Sequence, residues 1–390
     1  MSTYLKVLGV LLAGLVLFIG GMVLGGHPET LPGPARDAFV DEDRGVRAEI
    51  VNAIKDDFYK PVKESQIDEA SLKGIVAGLG DQFSNYITPS EAKEFEQSLR
   101  GEFEGVGMNV DEDRRGLRVV KVFEDSPAEK AGIGAGEFVT AVNGKSIAGV
   151  AAQVATSRIK GKAGTKVTLE IVNPDEGTPR TLKLTRAKIE VPTADGRVER
   201  RGADSFGVVE LTNFGPGAHG ELRKEIDALL EDDVEGLVLD LRGNGGGLLE
   251  EAVLVSSQFV EDGLITFTKG RKRSKREFDA DGDAIDSEVP VVVLVDGGSA
   301  SASEIVTGAL RDRKRGTVVG VKTFGKGVFQ EVESLSNGGQ LSITVGEYFL
   351  PSGENIGKKG IRPSVKAEDD PDTERDEAIP IALKTLQEKR

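Results

Sequence analysis

Leu237 to Leu249 reads LVLDLRGNGGGLL. Its first five residues are an apolar run broken only by Asp240, the signature of a short strand buried on both faces. The glycines that follow make a tight turn, and GGLLEEAVLVSSQF (246–259) then reads as a helix. The same alternation extends in both directions. Upstream, FGVVELT (206–212) is strand-like, and GELRKEIDALL (220–230) has the three- and four-residue apolar spacing of an amphipathic helix. Downstream, VPVVVLVD (289–296) is a second buried strand and SASEIVTGALRDRKR (301–315) a helix. TVVGV (317–321) and QLSITVGEYFL (340–350) are further strands. Buried strands alternating with helices predict a layered α/β domain from about Phe206 onward.

Before it, from Gly101 to about Arg186, the pattern is short strands with Gly turns: LRVVKVF, EFVTAVNG, KVTLEIV and TLKLTR, interrupted by one helix-like piece, SPAEKAG. This predicts a compact β-rich module. Residues 45–97 read as helical, with Thr88-Pro89-Ser90-Glu91 opening the last helix. His27 to Arg44, rich in Pro, Gly and charge, reads as a linker. Val7 to Gly26 is uncharged throughout, and a helix of that length spans the roughly 30 Å hydrocarbon core of a bilayer. Lys6 precedes it and Glu29 follows it, which predicts the N-terminus in the cytosol and the body of the chain outside. An uncleaved signal anchor is preferred over a cleaved signal peptide because the apolar run is long and no A-x-A follows it.

Composition narrows the chemistry. There is no Cys and only two His, His27 and His219, so thiol nucleophiles, Cys-based metal sites and an H-E-x-x-H site are excluded. A net charge of −15 argues against general nucleic-acid binding. Against that balance, Lys269 to Arg276 (KGRKRSKR) concentrates six cations in eight residues. It reads as a solvated hairpin tip, with a docking patch for anionic lipid or a partner as the alternative. Residues 366–377 (KAEDDPDTERDE) read as a solvated connector before a last helix.

Three glycine-rich places can hold chemistry. The turn at 243–247 presents backbone N–H groups at a helix start, which suits an anion or an oxyanion, but it also suits an ordinary tight turn. GVKTFGKGVFQ (320–330) matches seven positions of a phosphate loop, but Gly327 replaces the hydroxyl residue and a strand follows instead of a helix. Lys326 is then either an ordinary exposed lysine or one placed for close approach. DGGSASASE (296–304) contains a capping box, Ser301-x-x-Glu304, and equally a serine on the first turn of a helix, where N–H groups can hold a developing oxyanion. A lysine can serve such a serine as base if burial keeps it neutral. Lys326 follows Ser301 past one helix and one strand, and Gln330 lies four residues beyond it.

These motifs, in this order, resemble the carboxyl-terminal processing peptidases, or tail-specific proteases, a family of Ser–Lys serine peptidases. The resemblance covers roughly residues 45–366. DQFSNYITPSEAKEFEQSLRGEFEGVGM (81–108) is similar to the family's N-terminal helical region running into a PDZ domain, and DSPAEKAGIGAGEFVTAVNG (125–144) to the middle of that domain. LDLRGNGGGLL, GGSASASEIVTGAL, KTFGKGVFQ and YFLPSGENIGKKGIRPSV are similar to the peptidase core motifs. The resemblance implies Ser301 as nucleophile, Lys326 as general base and Gln330 as the residue orienting it. It implies Gly246 and Ala302 as oxyanion-hole donors, and Gly105, Val106, Gly107 and Met108 as the loop that captures a C-terminal carboxylate. The sequence departs from the usual family pattern at Gly243–Gly247, Val321 and Ser364.

The expected architecture is multidomain α/β: a signal anchor (1–26), a linker (27–44), a helical region (45–97), a PDZ domain (98–187), a peptidase core (188–370) and a C-terminal helix (371–390). The expected function is a serine endopeptidase, without metal or other cofactor, that binds C-terminal tails of exported proteins and cuts them on the extracytoplasmic side of the cell membrane. A non-catalytic PDZ scaffold that binds protein C-termini is the alternative. The resemblance also implies a homodimer through the helical termini, 45–97 and 376–390.

Overall fold

The computed structural model describes residues 14–15, 42–175, 177–370, 373 and 375–389. The expected anchor over 7–26 lies outside the described residues apart from two positions. Among the described residues no helix is long and apolar enough to cross a membrane. The chain forms two compact units, Met1–Tyr86 and Ile87–Arg390.

The first unit holds α1 (Glu42–Asp57) and α2 (Glu64–Ala77). Helix α1 begins inside the stretch expected to be linker. Ion pairs Arg47–Asp68 (3.4 Å) and Lys55–Glu64 (3.0 Å) join the two helices.

The second unit opens with α3 (Pro89–Leu99). Its capping box is complete: Thr88 Oγ1 accepts from the Glu91 N–H, and Glu91 Oε2 accepts from the Thr88 N–H. The β-rich module follows. Strand β1 (Glu102–Gly105) leads into β2 (Met108–Asp113), β3 (Gly116–Val122) and β4 (Phe138–Val142). Helix α4 (Ala152–Ile159), β5 (Lys166–Val172), β6 (Pro179–Thr185) and β7 (Ala187–Glu190) complete it. Strands β2 to β6 pair antiparallel in sequence order, around a core that includes Leu117, Val139, Ile147 and Leu169. Strand β1 pairs antiparallel with β7, Gly105 opposite Ala187, so the module's entry and exit run side by side. This pairing continues three residues beyond the expected domain end. Helix α4 was not expected. It is short, and its first N–H is capped from a distance by Glu112 Oε2 (3.1 Å), a contact that leaves no local signal.

The core is a six-stranded sheet. Strand β8 (Ala194–Arg201) forms an antiparallel hairpin with β9 (Asp204–Leu211). Then α5 (Ala218–Glu231), β10 (Leu237–Asp240) and α6 (Leu249–Ser257) follow. Next come the hairpin β11 (Leu264–Gly270) and β12 (Arg273–Asp279), β13 (Val291–Val295), α7 (Ala302–Asp312) and β14 (Thr317–Gly320). Strands β15 (Val328–Ser334) and β16 (Gln340–Phe349) lead to β17 (Val365–Lys366) and α8 (Ala378–Gln387). The main sheet runs β8-β9-β10-β13-β14-β17, parallel from β9 onward.

Period-two alternation divides its side chains between two cores. Val209, Leu239, Val293 and Val295 face α5, α6 and α7, whereas Val208, Val238, Val292 and Leu294 face α8. That two-sided burial explains the uninterrupted apolar strands in the sequence. Helix α8 spends Ala378, Ile379, Ala382, Leu383 and Leu386 on this sheet. Its apolar face is therefore buried within its own chain, and the dimer role implied for 376–390 has no free face there. A second, antiparallel sheet joins β12, β11, β16 and β15 beside the carboxyl ends of the parallel strands.

Candidate active site

Three turns meet at the carboxyl ends of β10, β13 and β14, the edge where parallel sheets place their sites. The turn after β13 ends at Ser301, whose φ of +58° lies in the region a non-glycine residue rarely occupies. Two side chains hold that turn. Asp296 Oδ1 accepts from the N–H groups of Gly298 (2.9 Å), Ser299 (3.0 Å) and, across from the next turn, Gly243 (2.9 Å). Buried Ser299 donates its hydroxyl to the Leu241 carbonyl at 2.7 Å. Ser299 thus serves as a stitch between turns.

The turn after β10 lies directly against Ser301. A Cβ on Gly246 (φ +102°) would stand 2.8 Å from Ser301 Cβ and 2.9 Å from Ala302 N, so only glycine fits. Asn244 anchors the turn. Its side chain donates to Leu211 O (2.6 Å), and its carbonyl accepts from the Ala300 N–H (3.0 Å) and the Ser303 hydroxyl (2.8 Å). Its Oδ1 also accepts from the Gly246 N–H at 2.9 Å, so the donor assigned to the oxyanion hole is engaged within its own turn. The Gly247 and Ala302 N–H groups have no acceptor among the described residues, and both residues line the cleft in front of Ser301. Ala302 is the first residue of α7, where the helix dipole favours negative charge.

The third turn carries Lys326 between two glycines packed against backbone. A Cβ on Gly325 would meet Gly360 N at 2.7 Å, and one on Gly327 would meet Gly357 Cα at 2.5 Å. Half-buried Lys326, Ser301, Ala302, Gly246 and Gln330 all line one cleft of about 680 Å³. Gln330 sits at a bulge in the β15–β16 ladder and donates its amide to Thr344 Oγ1 at 3.0 Å. A bulge re-aims a side chain, and here it is next to the site.

One residue joins two of these turns. Glu304, fully buried in α7, accepts from the Ser301 N–H (3.0 Å) and the Lys326 N–H (3.0 Å) on Oε2. It accepts from the Gly325 N–H (2.7 Å) and the Thr323 hydroxyl (2.5 Å) on Oε1. Its capping-box role was visible in the sequence, but its hold on the lysine turn was not. Tyr348, also buried, accepts from the Gly327 N–H at 3.3 Å and lies 3.5 Å from Glu304 Oε2. Burial, and then the Glu304 charge, push the Tyr348 phenol well above its usual pKa, so it stays neutral.

Behind the site, Arg242 holds Asp240 through Nε and Nη2, Asp369 at 2.5 Å and Asp376 at 2.9 Å. The segment expected to be a solvated connector is therefore tied to the glycine turn. His219 meets Glu251 Oε2 at 2.8 Å through Nδ1, outside the cleft; His27 lies outside the described residues. Gly105, Val106, Gly107 and Met108 are all buried and do not line the Ser301 cleft. Val106 O accepts from the Ala128 N–H (2.8 Å) and Gly107 O from the Phe123 N–H (3.1 Å).

A serine with positive φ between a buried strand and a helix, lining one cleft with a lysine set in a glycine turn, is the kind of site a serine peptidase has. Residues 205–367 match the peptidase family S41, and residues 95–172 match the PDZ domain. The chain is 37% identical over 310 residues to a carboxy-terminal-processing protease of Bartonella bacilliformis, covering 78% of this chain and 70% of that protein. It is 37% identical over 317 residues to a CtpA-like serine protease of Staphylococcus haemolyticus, covering 80% of this chain and 62% of that relative's length. Among solved structures, the photosystem II D1 C-terminal processing protease matches with a TM-score of 0.50 and 30% identity, over 84% of this chain and 87% of that one. The chain belongs to peptidase family S41, among its PDZ-bearing carboxy-terminal processing proteases.

Proposed function

We propose that this protein is a serine endopeptidase, anchored in the cell membrane by residues 7–26, that acts on the extracytoplasmic side. Its PDZ domain takes up the C-terminal tail of an exported protein, and the chain is cut at Ser301. Neutral Lys326 accepts the Ser301 proton as Oγ attacks the scissile carbonyl. The Ala302 N–H and the glycine turn at 246–247 hold the oxyanion, with Gly247 supplying an unengaged N–H. The lysine ammonium then returns the proton to the leaving amine. Water, deprotonated by the same lysine, releases the acyl group and restores the serine. Gln330 orients the lysine from its bulge. The apolar stripe Val46, Ile50 and Ile54 on α1, one turn apart and 36–55% exposed, supports a homodimer through the N-terminal helices.

The observation that carries this reading is Glu304, which accepts from the backbones of both Ser301 and Lys326. The test is digestion of an unstructured protein such as casein by the full chain. Ser301→Ala and Lys326→Ala are each expected to lower kcat by roughly 1,000-fold or more while the melting curve is kept. A Ser301→Ala protein that cleaves as fast as the parent overturns the reading.

A further inference from the structure

The cationic stretch Lys269 to Arg276 spans the β11–β12 hairpin and borders the Ser301 cleft. Alternation along β12 places Ser274, Arg276 and Phe278 on one face, and all three line the cleft with Ser301 and Lys326. Thr268, opposite Arg276 in the β11–β12 ladder, lines it too. Lys275 and Glu277 occupy the other face, paired at 2.6 Å.

The two arginines in the cleft differ. Arg273 is neutralised by Glu331 through bonds of 2.8 and 2.5 Å. The Arg276 side chain has no hydrogen bond or ion pair among the described residues, and its guanidinium carbon lies 4.5 Å from the centre of the Phe278 ring. The guanidinium N–H groups are left without a protein acceptor, and a guanidinium can bind a carboxylate through two parallel hydrogen bonds. The other acid lining the cleft, Glu250, is exposed and unpaired with it. Lys269, Arg271 and Lys272 add positive potential at the same hairpin, on a chain whose net charge is −15.

We propose that Arg276 is a specificity residue: it binds an Asp or Glu side chain of the substrate within a few residues of the bond cut at Ser301. This rests on the peptidase reading above. A carboxylate on the bound polypeptide fits better than a lipid headgroup, because Arg276 lies on the cleft wall and not on the outer face of the hairpin.

The test uses two peptides taken from a mapped cleavage site, identical except for Glu or Gln beside the scissile bond. Turnover is measured with the parent, and binding with the full-length Ser301→Ala protein. The Glu peptide is expected to have about tenfold higher kcat/KM and correspondingly tighter binding to Ser301→Ala, with the advantage shrinking at high salt. Arg276→Gln should bring the Glu-to-Gln ratio close to one, and Arg276→Glu should make a Lys peptide preferred. Equal cleavage of the Glu and Gln peptides by the parent overturns the proposal and leaves the peptidase reading intact. No cleavage of any substrate and no peptide binding by Ser301→Ala overturn both. If Arg276→Gln keeps the peptide preference but loses binding to phosphatidylglycerol vesicles, the hairpin is a membrane contact and the proposal is wrong.

Discussion

At the scale of single residues, the decisive side chain is an acid that does no bond-breaking. Glu304 gathers four donors at 2.5–3.0 Å, two of them the N–H groups of Ser301 and Lys326. If Lys326 takes the Ser301 proton, as proposed above, this carboxylate ties together the two turns that carry the pair. Glu304→Gln keeps the volume but turns one acceptor oxygen into a donor facing other donors. Each buried donor left unsatisfied costs about 1–3 kcal/mol, so the variant should melt measurably lower than the parent. Misplacement of the pair by a fraction of an ångström should also lower kcat by roughly 100-fold, with a much smaller change in KM. Steady-state kinetics beside a thermal melt check both, and full activity in Glu304→Gln would show that the carboxylate does not position the pair.

At the scale of elements, the C-terminal helix acts through its acidic approach. Asp376 Oδ1 caps α8 by accepting from Ala378 (3.1 Å) and Ile379 (2.8 Å), while its Oδ2 accepts from Arg242. Burial alone would raise the Asp376 pKa. The hydrogen bond from Arg242 and those from the helix N-terminus outweigh burial and lower it below the ordinary aspartate value. For Arg242 too, burial opposes the charge, but Asp240 and Asp376 raise its pKa, so it stays protonated throughout. A carboxylate with a depressed folded pKa stabilises the protein above its unfolded pKa, near 4, and loses that contribution as pH falls through the folded value. Asp376→Asn should therefore melt a few degrees below the parent at neutral pH, and the gap should close as pH falls below about 4. Melting curves across that range check it, and a gap independent of pH would mean the helix cap, not the charge, carries the effect.

At the scale of the whole molecule, the sequence was informative where signals are local and silent where they are not. Buried strands such as Val291–Val295 and the capping boxes at Thr88 and Ser301 are written in adjacent residues. The Arg242 contacts with Asp369 and Asp376, the cap of α4 by Glu112 and the grip of Glu304 on the lysine turn join residues far apart in the chain, and no local pattern encodes them. Composition led to the same kind of miss: a run of seven acids over 366–377 reads as solvated, yet two of them are spent on a half-buried arginine. The PDZ domain shows how the parts combine. It has a hydrophobic core of its own, and its entry and exit strands, β1 and β7, pair with Gly105 opposite Ala187. Antiparallel partners lie about 5 Å apart, a gap that a two-residue Asn-Gly turn closes. Replacing residues 106–186 by Asn-Gly should therefore leave a protein that unfolds in one cooperative transition and still cuts casein. It should lose discrimination between a substrate with a free C-terminal carboxylate and the same substrate amidated, a discrimination expected of the parent if the PDZ domain captures tails. An excised protein that fails to fold would show that the module supports the core. An excised protein that keeps the preference would place tail recognition in the peptidase cleft instead.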